Sequence, residues 1–167
     1  MELNYCVQCG KRLTMRAVGD EGEQKYCTGC NKYFFDNPAC CVLVGVINEH
    51  KQILLLRQEY ISKSKWVLCS GYVKKGDTLE ETVTREVFEE TGQRVTDCKY
   101  VRSYYFEPKN IIMSGFIAYV KENAFGISNE VDALQWVEIN KARTLVEREN
   151  NFSGVHLDYI AEVLIRN

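Results

Sequence analysis

The sequence predicts an α/β protein, an α/β/α sandwich preceded by a small cysteine-built module. Three observations predict it. Apolar runs of strand character interleave with helix-period segments after residue 38, two Cys-x2-Cys pairs stand near the N-terminus, and one predicted helix gathers glutamates beside its own apolar stripe. The 167 residues, 46% of them hydrophobic, suit one domain of roughly 130 residues plus a module too small to bury much core. A formal net charge of −2 leaves no basic excess of the kind nucleic-acid binding requires. Apart from the paired cysteine knuckles there is no internal repeat or low-complexity tract.

The N-terminal module comes first. Cys6-x2-Cys9 is followed after 17 residues by Cys27-x2-Cys30, a spacing that fits a four-thiolate zinc site, with a disulfide pair and an iron-sulfur centre as the alternatives. Four thiolates close a tetrahedral zinc shell, so such a zinc is structural. Gly10 and Gly29 supply pliable backbone beside the ligands, and Gly19-Asp20-Glu21-Gly22 reads as a turn between short polar strands. Phe35-Asp36-Asn37-Pro38 ends the module, which divides the chain into a zinc-ribbon module at 1–38 and a second domain at 39–167. The remaining cysteines, Cys40, Cys41, Cys69 and Cys98, lack ligand spacing, and the first three are expected as packing residues. Free thiols, no secretory signal and no apolar run approaching 18 residues predict a protein of the reducing cytoplasm with no membrane partner.

In the second domain, strands are expected at Ala39–Ile47 and Gln52–Arg57 around a turn at Asn48-Glu49-His50, and a short strand near Trp66–Leu68. After the glutamate helix come a strand at Lys99–Phe106, a turn at Pro108–Asn110 and a strand at Ile111–Val120. A last strand is read at Gln135–Ile139, with helices near Lys141–Arg148 and Gly154–Ile165. His50 is expected in a solvated turn, and His156 on the surface or in the packing of the last helix.

The glutamate helix carries the chemistry. Gly71-x5-Asp77-x7-Arg85-Glu86-Val87-x-Glu89-Glu90-x-Gly92-Gln93 spaces Glu86, Glu89 and Glu90 at i, i+3, i+4, where like charges repel by roughly 0.2–0.5 kcal/mol per pair. On a wheel of about 100° per residue, Glu86 and Glu90 fall within about 60° of Leu79 and Val83, the inward stripe. A solvated acidic face would point the other way. Converging carboxylates suit a hard cation, Mg2+ or Mn2+, held against a pyrophosphate. Asp77 is expected to cap the helix with Glu80 three residues on, Gly92 to close it, and Arg85 to orient a glutamate.

This segment resembles the Nudix box, G-x5-E-x7-R-E-U-x-E-E-x-G-U, departing from it at Asp77 and Gln93. The resemblance implies a Nudix fold for residues 39–167 and hydrolysis of a nucleoside diphosphate linked to another group. Glu86, Glu89 and Glu90 would be ligands for Mg2+ or Mn2+, and Glu86 or Glu130 would assist deprotonation of water. Glu130, six residues before Trp136, matches a late glutamate of zinc-ribbon Nudix enzymes, with Asp132 as its neighbour and competitor.

A four-cysteine ribbon ahead of this box is similar to the NADH pyrophosphatase branch. That branch's S-Q-P-W-P-F-P-x-S motif is matched at Ser103 only, with an aromatic kept at Phe106, so ADP-ribose stands beside NADH as a substrate. Tyr104, Tyr105 and Phe106 are candidates to stack on a base, although strand alternation sends one or two of them into the core. The partner expected is a small-molecule nucleotide, with a homodimer on family analogy alone. An RNA cap-removing enzyme and a noncatalytic nucleotide-sensing module are the alternative readings.

Overall fold

The computed structural model describes residues 3–126, 128–149 and 152–165. The chain divides into two compact units, Met1–Asn37 and Pro38–Asn167. The first is a three-stranded antiparallel sheet of β1 (Thr14–Ala17), β2 (Glu23–Cys27) and β3 (Lys32–Phe34), in that order. The β1–β2 turn closes through Val18 N–H to Gly22 O at 2.9 Å, with Gly19 and Gly22 at positive φ. Arg16 lies over the Tyr26 ring at 4.6 Å, and Tyr26 packs on Tyr33 at 4.8 Å.

The second unit is built on a six-stranded sheet. Its strands are β4 (Ala39–Ile47), β5 (Gln52–Arg57), β6 (Cys69–Tyr72), β7 (Val95–Phe106), β8 (Ile111–Val120) and β9 (Ala133–Glu138). The order is β7-β8-β4-β5-β9, with β6 beside the first half of β4. Among the described strands only β4 and β8 pair in parallel. Helix α1 (Leu79–Thr91) covers one face, and α2 (Ile139–Leu145) and α3 (Ser153–Ile165) lie on the other.

The apolar run of β4 is continuous because both its faces are covered. Val42, Val44 and Val46 join Val83 and Val87 of α1, whereas Leu43 and Ile47 join Leu157 and Ile160 of α3. Burial of each such side chain contributes about 1.5–3 kcal/mol. Gly45 has no side chain for a packing reason: a Cβ there would lie 2.2 Å from Ile160 Cδ1. Among the described residues no helix is long and apolar enough to cross a membrane.

Several expected boundaries move. The strand read at Trp66–Leu68 forms three residues later, because Trp66 and Val67 make isolated bridges to different partners, Val146 and Leu56. Val146 is thereby held extended, which ends α2 at Leu145 rather than near Arg148. β7 begins at Val95, four residues before the expected start, because Val95, Asp97 and Cys98 pair with β8 despite their mixed polarity. Pro108 lies in a 3-10 turn, Glu107–Lys109, closed by Asn110 at φ 50°.

Candidate functional site

The thiolates of the first unit converge. Cys6 Sγ lies 3.8 Å from Cys30 Sγ, Cys9 Sγ lies 3.5 Å from Cys27 Sγ, and all four atoms fall within 4.8 Å of one another. Bonds of about 2.3 Å to a tetrahedral zinc place sulfurs about 3.8 Å apart, so the cluster fits that ion. Gly10 takes a left-handed turn after Cys9, but after Cys30 it is Asn31 at φ 54° that does so. Gly29 instead leaves room, since a Cβ there would sit 3.3 Å from Lys11 Cδ and 3.5 Å from Cys9 Sγ.

In the second unit the site forms where β6 leads into α1. The cap is Thr78, not Asp77: Thr78 Oγ1 accepts from Glu81 N–H at 3.2 Å, and Glu81 Oε2 accepts from Thr78 N–H at 2.8 Å. Asp77 is drawn away from capping by Arg85, whose Nε donates to Asp77 Oδ2 at 3.1 Å. Gly92 ends the helix at φ 74°.

Arg85 holds the entrance together. Its Nη1 donates to Glu86 Oε1 at 2.5 Å and to Glu89 Oε2 at 3.2 Å, and its Nη2 donates to Tyr72 O at 3.0 Å. Glu86 can reach this position only because residue 71 is glycine. A Cβ on Gly71 would lie 2.0 Å from the Glu86 carboxyl carbon.

Glu90 turns into the protein and is 4% exposed. Gln58 Nε2 donates to its Oε1 at 2.7 Å, while Oε2 is buried without a hydrogen-bond partner. Burial pushes this carboxyl up to about 7, and the neighbouring Cys69, Gln58 and Ser70 oppose the rise without cancelling it. A buried carboxylate oxygen with no donor is what a hard cation would satisfy. The three glutamates themselves are held apart. Among the described residues the cysteine cluster is the one group whose ligand atoms all converge.

Glu130 is exposed on the loop before β9, its N–H bonded to Ser128 Oγ. Asp132 does different work: its Oδ2 accepts from Glu59 N–H at 2.8 Å and its own N–H donates to Arg57 O, which ties this loop to the turn after β5.

The three candidate aromatics separate. Tyr104 is buried in the α3 layer, stacked on Phe152 at 4.9 Å with its hydroxyl 3.0 Å from His156 Nδ1, so it is withdrawn from any ligand. Phe106 packs edge-on to the same Phe152. Tyr105 is 55% exposed, in register with Ile112 and Cys40 on the α1 side of the sheet, its hydroxyl donating to Asn110. The exposure of Cys40 corrects its reading as a core residue, because the sheet extends beyond the α1 cover at that end, whereas Cys41 and Cys69 are buried. His156 is fully buried.

Three residues carry roles the sequence does not announce. Gln58 meets Glu90 across 32 positions of sequence, so no local pattern marks it. Tyr60, two residues on, places its hydroxyl in the field of Glu90, Glu130 and Glu86. Desolvation first, then those carboxylates, push it up to about 12. Gln93, the second departure from the box, trades amide bonds with Asn123 backbone, its Nε2 donating to O at 3.0 Å and its Oε1 accepting from N–H at 2.9 Å. A polar side chain at that position is therefore satisfied, and it fixes the segment that follows β8.

The profile described as NUDIX domain matches residues 37–157. The chain belongs to the NUDIX family. Among curated relatives it is 29% identical over 79% of its length to the NAD-capped RNA hydrolase NudC of Chromobacterium violaceum, and 30% identical over 68% to NudC of Photorhabdus laumondii. It is also 30% identical over 86% to Nudix hydrolase 19, chloroplastic, of Arabidopsis thaliana. The chain spans 50%, 43% and 35% of those proteins. A crystal structure of a NUDIX hydrolase from Nitrosomonas europaea superposes with TM-score 0.71 at 21% identity, covering 99% of this chain and 92% of that one. The NUDIX domain of Shewanella oneidensis NrtR, complexed with ADP ribose, superposes with TM-score 0.67 at 15% identity, over 83% and 94%. These likenesses show the fold.

Proposed function

We propose that this chain is a divalent-cation-dependent hydrolase that cuts a pyrophosphate joining a nucleoside to a second group, with NADH and ADP-ribose as leading substrates. The observation that carries the reading is Glu90: a buried carboxylate with a partnerless oxygen, on the same helix as Glu86 and Glu89, which Arg85 orients. In this reading Glu86, Glu89 and Glu90 hold Mg2+ or Mn2+. Such an ion would neutralise charge on the pyrophosphate oxygens and acidify the attacking water. Glu130, exposed on the loop before β9, takes the proton, because the Glu86 carboxylate is already engaged by the Arg85 guanidinium. Arg85 acts by positioning, and Tyr105 is the aromatic left to meet a base.

The relatives named NAD-capped RNA hydrolase favour a second reading, in which the same bond is cut at the end of an RNA. The four thiolates hold one structural zinc. Metal analysis of freshly purified, reduced protein should return about one zinc per chain, and Cys27→Ser should release it; none in the wild type ends the zinc assignment.

The deciding experiment incubates the protein with NADH, NAD+, ADP-ribose, FAD, diadenosine polyphosphates, nucleoside triphosphates and NAD-capped RNA, with Mg2+ or Mn2+, and identifies products. Cleavage within the pyrophosphate of NADH or ADP-ribose is expected, and Glu89→Gln or Glu90→Gln should remove it. A strong preference for nucleoside triphosphates overturns the assignment.

A further inference from the structure

The turn after β5 is pinned from several sides. Gln58 donates to Glu90, and its backbone carbonyl accepts from Ile61 N–H at 2.9 Å and Ser62 N–H at 3.0 Å. Glu59 N–H is held by the Asp132 carboxylate. Val131 belongs to the same apolar cluster as Val83 and Val87 of α1, and the partly buried Ile61 packs against it, which seats the turn and the Glu130 loop on one core. Tyr60 and Glu130 each stand one residue outside that core.

The ring of Tyr60 is nevertheless 69% exposed. A large aromatic on a turn this constrained is held out toward solvent, and the bonds from Gln58 to Glu90 and from Glu59 N–H to Asp132 set that turn beside Glu90 and the Glu130 loop. A phenol is protonated at neutral pH, so it is a donor there. Carboxylates at that position are claimed by Gln58 and Arg85 or, in Glu130, lie on the exposed loop. A cation held by these glutamates would bring a phosphate group among them, and phosphate oxygens accept hydrogen bonds strongly.

We propose that Tyr60 is a substrate-binding residue whose hydroxyl donates to a pyrophosphate oxygen of the bound nucleotide, held at that place by the Gln58–Glu90 and Glu59–Asp132 bonds. The proposal rests on the hydrolase reading of the glutamate site and adds to it a contact from outside the box. Because the bond is made to an oxygen already charged in the ground state, its loss weakens binding more than turnover.

The test compares Tyr60→Phe and Tyr60→Ala with wild type, using ADP-ribose and Mg2+ for kinetics and α,β-methylene-ADP with Mn2+ for binding by calorimetry. Tyr60→Phe should raise KM and weaken analogue binding by about tenfold or more, with kcat within about twofold and Mn2+ affinity unchanged. Tyr60→Ala should match it. If Tyr60→Phe behaves as wild type while Tyr60→Ala is impaired, the ring and not the hydroxyl meets the ligand and the proposal fails. Wild-type behaviour of both variants also overturns it while leaving the hydrolase standing. If wild type binds the analogue but turns over nothing on the substrate panel, the hydrolase reading fails and analogue binding by Tyr60→Phe still decides the contact. No binding and no turnover by wild type overturns both.

Discussion

The carboxylate of Glu86 and the missing side chain of Gly71 occupy the same space, which makes the glycine a steric condition of the site. Gly71→Ala must move either the strand or the carboxylate, since its Cβ would meet three Glu86 side-chain atoms within 2.4 Å. Turnover should fall about a hundredfold with little change in the unfolding midpoint, measured by steady-state kinetics beside urea unfolding. Gln58 makes a related point from outside the box. Gln58→Leu leaves Glu90 without its one bonded partner on Oε1, and divalent-cation affinity should weaken 10–100-fold in a Mn2+ titration. Unchanged affinity would show that Glu90 orients itself. Residues of the first kind are legible in sequence because glycine, arginine and glutamates recur at fixed spacing along one loop and helix. Gln58 and Tyr60 are not legible: they reach the glutamates only through the packing of β5 beside β4, a long-range consequence no local period encodes.

At the scale of elements, strand and helix existence was readable where burial is two-sided or periodic, as in β4, β5 and β8. Ends were misread where a tertiary partner decided them. Val146 extends because Trp66 pairs with it, and Asp77 leaves the helix terminus because Arg85 takes its carboxylate. The capping correction separates two substitutions that the sequence alone would merge. Thr78→Ala removes both bonds of the capping box and should cost about 1 kcal/mol in urea unfolding while leaving turnover near wild type. Asp77→Ala should do the reverse, sparing stability and lowering turnover, because it frees the guanidinium that orients Glu86 and Glu89. Equal stability losses from the two would restore Asp77 as the cap. Alternation along β7 likewise divides the aromatic candidates, sending Tyr104 to the α3 layer and Tyr105 to the α1 side.

In the second unit, each of the two layers that flank the sheet buries a group whose shifted pKa bears on stability between about pH 4 and 7, Glu90 in one and His156 in the other, and the two act with opposite sign. In the α3 layer His156 Nε2–H donates to Phe116 O at 2.9 Å, so Nδ1 accepts from the Tyr104 hydroxyl and the ring is neutral. Burial, with the Arg102 charge adding to it, lowers its pKa from 6.5 to about 4. The unfolded chain therefore binds the extra proton first, and the stability this neutral ring contributes is complete above about 6.5 and is lost as pH falls toward 4. In the α1 layer Glu90 is raised from 4.5 to about 7, so the folded chain keeps a proton the unfolded chain releases. That contribution is complete below about 4.5 and is lost as pH rises toward 7. Between about 4.5 and 6.5 the two slopes offset, and cation-free wild type should show little net pH dependence from this pair. Glu90→Gln keeps the volume and removes only the second slope. In chelator its unfolding free energy should then decline by about 1.4 kcal/mol per pH unit from 6.5 downward, roughly 3 kcal/mol in all, against a nearly flat wild type. Urea unfolding at half-unit steps of pH measures both curves. Parallel curves would mean that Glu90 is already ionised in the cation-free fold, so that a cation bound there would displace no proton.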